Sequence, residues 1–155
     1  MNIRIDLTPL LNGLERTGEE MDRRIAKAMD DACITLKDEA KQRVPKGEHI
    51  PSAGKDDKGP IRGSLKYRLD RGGAGRITGT VGSEALYAAF YHEGTGLYAR
   101  KGDGRTYDLP WHYRDGLGNW HQSSGNQPHP FLEEAADAMR DRIAEIFRAR
   151  LRGGQ

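Results

Sequence analysis

The 155-residue chain has a single cysteine, Cys33, so no disulfide closes within it and no cluster of thiolates can hold zinc. It lacks any run of about 18 apolar residues, the length that a bilayer-spanning helix needs. The polar start MNIRIDLTP also lacks the basic-then-apolar layout of a secretory signal. These absences predict a soluble chain made in a cytoplasm, with no membrane partner. Hydrophobic residues are scarce at 35%, and the net charge is only +2, too small to announce nucleic-acid binding by itself. The 20 glycines are many for a globule of this size, which predicts long mobile loops around an ordered core. At this length a single domain, 1–155, is expected.

Against that sparse background the periodic segments stand out. Ile3 to Leu7 alternate apolar and polar side chains, the pattern of a half-buried strand. From Thr17 the spacing changes to three and four: Met21, Ile25, Ala28, Met29, Ala32, Leu36 and Ala40 line one face of a helix. Thr17 and Glu20 form a capping box at its start, and Val44-Pro45 stops it near Arg43. Cys33 lies on the same face as Met29 and Leu36, which favours a core thiol over a reactive one. Residues 45–63, rich in proline, glycine and charge, are expected to be a mobile loop. "SLKYRLD" and "RITGTVGS" alternate on either side of a glycine-rich turn and predict a hairpin, and "LYAAFYHEGTG" is read as a third strand of it. A second mobile stretch is expected over 97–126. The last element, from Phe131, carries Leu132, Ala135, Ala136, Met139, Ile143, Ile146 and Phe147 on one stripe, with Pro130 suited to its first turn. Together these predict an α+β fold, an antiparallel sheet of about four strands packed against two long helices.

Convergent chemistry is hard to find. His112 and His121 are nine apart with Asp115 between them, and only a hairpin folding at "DGLGN" would bring them near each other. A metal-dependent nucleic-acid enzyme built on these three residues is the competing functional reading. Ser123 and Ser124 sit among glycines without the strained elbow of a nucleophilic serine. No catalytic, metal or cofactor residue is therefore assigned. Lys58, Arg62, Lys66, Arg68, Arg71 and Arg76 face Asp70 alone, a basic strip that is either solvated surface or a path for DNA phosphates. A plain DNA-binding module is a further alternative. Tyr87, Phe90, Tyr91, Tyr98, Tyr107, Trp111, Tyr113 and Trp120 crowd into one stretch mixed with glycine and arginine. Such rings either hold a local cluster or form a contact surface, since Tyr, Trp and Arg dominate binding hot spots. "DGLGN" then reads as a turn, with Trp111 and Trp120 on its arms, placed to pair across strands.

Several stretches, taken in order, resemble a known family. "YAAFYHEGTG" (87–96) is followed by "QPHPFLEEA" (127–135), and the preceding helix ends with Ala40, Lys41 and Pro45 in an A-K-x-x-x-P pattern. Gly59, Ile61 and Ser64 fit a T-G-x-L-x-x-S segment that lacks its threonine, and Val81-Gly82 matches the strand before the tyrosine motif. In these features the chain is similar to the tail-completion or head-tail joining proteins of long-tailed bacteriophages, also called neck or minor tail proteins. The resemblance covers roughly residues 17–150. It implies a non-enzymatic virion protein of a phage or prophage that forms a homo-oligomeric ring, sixfold, between the head connector and the tail tube. Its implied partners are a tail-tube or tail-terminator protein on one side and a head connector or stopper protein on the other. Subunit or partner contacts are expected at Tyr91, Glu93, Thr95, Tyr98, Tyr107, Trp111, Tyr113, Trp120 and Phe131. The basic strip would then face the DNA lumen and touch phage DNA in passing.

Overall fold

Apolar spacing of three and four builds the long helices of this chain, and alternation builds its first strands. The computed structural model describes residues 2–6, 18–44, 61–72, 76–100 and 110–152. In chain order the elements are β1 (Asn2–Asp6), α1 (Gly18–Arg43), a single helical turn α2 (Ile61–Ser64), β2 (Leu65–Arg71), β3 (Ile77–Ser83) and α3 (Tyr87–Glu93). A 3-10 turn (Gly96–Tyr98), β4 (Trp111–Arg114), β5 (Trp120–Ser123) and α4 (Phe131–Arg152) complete them. The expected capping box at Thr17 lies outside the described residues. The chain divides into two compact units, which we call the sheet unit (Asn2–Arg43, Leu65–Gly82, Leu132–Gln155) and the hairpin unit (Val44–Ser64, Ser83–Phe131, with Met1).

In the sheet unit the strand order is β1-β3-β2. β1 runs antiparallel to β3, setting Asn2 opposite Gly82, Arg4 opposite Thr80 and Asp6 opposite Thr78. On the other side of β3, Gly72 N–H donates to the Arg76 carbonyl at 2.8 Å, and Glu84 N–H donates to the Ser64 carbonyl at 3.2 Å. Both bonds belong to one antiparallel register, so the ladder between them holds no bulge and sets Lys66 opposite Gly82 and Arg68 opposite Thr80. The helix α1 covers one face of this sheet. Tyr67 donates its hydroxyl to Asp30 at 2.8 Å, and Lys37 stands 5.2 Å from the centre of the Tyr67 ring. Ala28, Met29, Ala32, Cys33, Leu36 and Ala40 are fully buried along the face of α1 that periodicity marks out. α4 runs antiparallel to α1, tied at one end by Arg43 to Glu134 (3.4 Å) and at the other by Arg150 to Asp31 (2.6 Å).

Burial pushes the Cys33 thiol up to about 11, with the Asp30 charge adding to the effect. At neutral pH it is a protonated core side chain, as its place on the helix implied. Tyr67 is also raised above its ordinary value, first because Asp30 accepts its proton in a hydrogen bond.

The hairpin unit corrects three sequence expectations. The segment read as a third strand is instead helix α3 followed by the 3-10 turn. Its buried residues Ala88, Tyr91 and His92 are spaced three and four apart, and two alanines favour helix over strand. Its richness in aromatic residues, which suit strands, had masked that period. The four-stranded sheet is a three-stranded sheet with a separate two-stranded hairpin, β4-β5. The end of the expected loop 45–63 is the ordered turn α2, with Ile61 and Ser64 buried; residues 45–60 of that loop and 101–109 of the second lie outside the described residues.

Ser64 shows why a serine belongs in α2. Its hydroxyl donates to the Ile61 carbonyl at 2.9 Å, which leaves its oxygen to accept from Ser83 Oγ at 2.6 Å. Ser83 Oγ accepts in turn from Ala85 N–H at 3.1 Å. Every polar atom in this buried chain of bonds is thus paired, as burial demands.

Candidate assembly surface

Two of the stretches that carry the family resemblance meet in the hairpin unit. Gly94-Thr95-Gly96 lies against Ser124-Gly125-Asn126 as a backbone clamp: Thr95 N–H donates to the Asn126 carbonyl (2.9 Å) and Leu97 N–H to the Ser124 carbonyl (3.0 Å). Asn126 N–H donates back to Thr95 Oγ1 at 2.9 Å. The approach is too close for side chains on the glycines. A Cβ on Gly94 would stand 2.8 Å from the Tyr98 carbonyl oxygen and 2.9 Å from that of Asn126, and one on Gly96 would overlap the Ser124 carbonyl. Gly94 also holds φ 77° and ψ 174°, a region that only glycine occupies readily. Beyond the clamp, His129 N–H donates to the Tyr91 carbonyl at 3.0 Å, and the His129 ring stacks on Tyr91 at 4.6 Å. Phe131 closes the cluster, 6.2 Å from Tyr91 and edge-on to His92 at 5.3 Å.

From the clamp, β5 leads back through a tight turn to β4. Asp115 organises that turn: its carboxylate accepts from Leu117 N–H (2.9 Å), Asn119 N–H (2.9 Å), Asn119 Nδ2 (3.3 Å) and His121 Nε2 (2.8 Å). These donors hold the Asp115 carboxyl well below the usual carboxylate range, His121 first and the Asn119 amide next. The turn thus forms at "DGLGN", as the sequence suggests, but the tryptophans do not pair. Trp111 faces Ser123, and Trp120 faces Arg114, whose guanidinium lies 5.3 Å from the indole. The register also separates the two histidines. His112 pairs with Gln122 and His121 with Tyr113, so the imidazoles project from opposite faces of the hairpin and cannot share a metal ion. His121 instead stacks on Tyr113 at 5.3 Å.

The contact residues expected from the sequence divide accordingly. Tyr91 and Phe131 are 5% and 2% exposed and pack inside the chain. Thr95 is occupied in the clamp, and half-buried Glu93 adjoins it, its carbonyl accepting from Arg100 N–H. Tyr98, Tyr113 and Trp120 are exposed, Trp111 is half-buried, and Tyr107 lies outside the described residues. Sequence reasoning missed Leu86, Leu97 and Leu117, and counted Phe90 among the crowded rings without assigning it a contact. Leu86 and Phe90 are four apart on the side of α3 opposite its buried face, and are 85% and 63% exposed. The helical period of "LYAAFYHE" is the signal that would have found them. Among the described residues, every exposed large hydrophobic side chain falls between Leu86 and Trp120, within the hairpin unit.

The basic strip is broken up by the structure. Lys58 is outside the described residues. Arg62 is directed to the Val44 carbonyl at 3.3 Å, and Arg71 lines the hollow it shares with Arg23, Lys27 and Asp30 of α1. Lys66, Arg68 and Arg76 remain exposed. No described helix is long and apolar enough to cross a membrane.

Comparison with known proteins agrees with the motif order. The family described as "Bacteriophage HK97-gp10, putative tail-component" matches residues 10–94, more than half of the chain, from ahead of α1 through the first glycine of the clamp. No curated protein and no solved structure matches the chain. With that match running through α1, the buried Ile61–Ser64 turn, the β2-β3 pair and α3, the chain belongs to the HK97-gp10-like family of bacteriophage tail components.

Proposed function

We propose that this tail component acts at the neck of the virion, completing the tail and joining it to the head as a homo-oligomeric ring, and that it does so without catalysis. The observation that carries this reading is the gathering of exposed apolar side chains in one unit: Leu86 and Phe90 on α3, Leu97 and Tyr98 on the 3-10 turn, Tyr113, Leu117 and Trp120 on the hairpin. Exposed apolar side chains in such number mark regions that are covered by protein in the working assembly. A two-stranded hairpin is marginally stable alone, so neighbours that cover it would also order it. The expected neighbours are further copies of the chain, six to a ring, with a tail-tube or tail-terminator protein and a head connector or stopper protein at its two ends.

The hairpin and α3 make separate contributions that a complementation assay can resolve. Trp120→Ala with Tyr113→Ala, and Leu86→Ser with Phe90→Ser, remove exposed rings and leave the clamp untouched. Each pair is expected to leave a folded chain and to block the joining of heads to tails, since truncating an aromatic anchor costs about 2 kcal/mol or more of association energy. Normal virion yield from both pairs would refute the reading.

The competing enzyme on His112, Asp115 and His121 loses its geometric basis once the two imidazoles point apart.

A further inference from the structure

The alternation of the three strands gives the sheet unit a second face, directed away from α1. Side chains at odd positions of β2 and β3, such as Tyr67, Gly79 and Val81, look toward α1, so the even positions face away from it. On that face the register aligns two rows at one end: Asn2–Gly82–Lys66 and Arg4–Thr80–Arg68. Asp70 lies in the next row, beside Thr78. Three cations, Arg4, Lys66 and Arg68, thus flank a central threonine and glycine. Arg4, Lys66 and Arg68 are exposed, and Thr80 is half-buried between them.

We propose that this sheet face binds the phosphodiester backbone of duplex DNA, with Arg4, Lys66 and Arg68 neutralising phosphates and the Thr80 hydroxyl donating to a phosphate oxygen. Three features favour this occupant. The cations come from both edge strands, about 10 Å apart across β3 given a strand spacing near 5 Å, a gap that arginine side chains on either side span easily. The central residues are small and leave a shallow trough between the edges. The exposed cations at both edges suit an extended polyanion better than a small anion. The ion pair of Arg68 with Asp70, 3.0 Å and exposed, is weak enough for a phosphate to displace. Arg4 lies 54 or more positions from every member of the basic strip in sequence, and only the β1-β3 pairing brings it to this face. The inference stands apart from the assembly reading, since it concerns the sheet unit and needs no ring.

Fluorescence anisotropy of the whole chain with a labelled duplex, titrated with salt, tests it. Three phosphate contacts predict a slope of log K against log salt of about −2.7, or an affinity loss of about 40-fold between about 50 and about 200 mM. Arg4→Ala, Lys66→Ala and Arg68→Ala should each weaken binding and reduce that slope by about 0.9. Asp70→Asn should act in the opposite direction and tighten binding by releasing Arg68. Arg148→Ala, an exposed cation of α4 outside the sheet, should change neither quantity. A flat salt response, or equal losses from Arg4→Ala and Arg148→Ala, would overturn the proposal.

Discussion

Gly79 is the point at which β3 crosses α1, and replacing it with alanine tests the packing of the sheet unit. A Cβ there would overlap Cys33 Sγ and stand 2.9 Å from Met29 Sδ and 3.3 Å from Met29 Cγ. Both neighbours are fully buried, so neither has solvent to retreat into. Met29 is pliable, but Cys33 is on a helix, where the +60° side-chain rotamer collides with the preceding turn. With no collision, Gly79→Ala would stabilise the strand by about 0.5–1 kcal/mol, because glycine has more chain entropy to lose. Overpacking of this kind costs about 1–3 kcal/mol, which reverses the sign. A net loss of about 1–2 kcal/mol lowers the melting temperature by roughly 2–8 °C for a chain of this size. The decisive assay is a double-mutant cycle followed by thermal or urea unfolding. Cys33→Ala removes the offending sulfur, so in that background Gly79→Ala should be close to neutral, a coupling of about 1–2 kcal/mol. A melting temperature that rises in the single variant, or an equal loss in both backgrounds, would refute the reasoning.

Gly94→Ala should destabilise the hairpin unit by about 3 kcal/mol, from strained backbone and overlap with carbonyl oxygens together, and should disperse the NMR signals of Thr95 and Asn126 first. Cys33 should resist a thiol reagent at pH 8 in the native chain and react at once in denaturant. Its folded pKa of about 11 exceeds the unfolded value, so the stability it contributes is whole below about pH 8.5 and is lost as pH rises through 11; Cys33→Ala should flatten that alkaline limb, with Tyr67→Phe removing the remainder. For Asp115 the sign is opposite: its folded pKa is depressed, so its contribution is whole above about pH 4 and is lost as pH falls further. The amide shifts of Leu117 and Asn119 should therefore hold steady to below pH 4, and Asp115→Asn should abolish their acid transition.

How far the sequence could be read depended on how local the cause was. The face of α1 was legible because its buried residues repeat at helical spacing over 26 residues, long enough for the period to be unmistakable. α3 was not, because seven residues hold two turns at most, and aromatic residues in so short a run suit strand or helix equally. The turn at "DGLGN" was legible from its residue types, but the register of the hairpin was not. A shift of one residue changes every cross-strand partner, and that shift separated the tryptophans and sent His112 and His121 to opposite faces.

The same division holds for function. Motif order along the chain pointed to the family, and the residues that carry it, Ile61, Ser64, Tyr91, Gly94, Gly96 and Phe131, each hold a packed or closely approached position in this chain. Ser64 closes a buried chain of hydrogen bonds, and the glycines admit a backbone clamp. Which side chains remain outside was decided only by tertiary structure. Tyr91 and Phe131 turned inward while Leu86, Phe90 and Leu117 turned outward, and Arg4 came to the same sheet row as Arg68, across Thr80. Composition counts rings and charges, but whether each is buried or presented depends on partners distant in sequence, and only the folded chain brings those together.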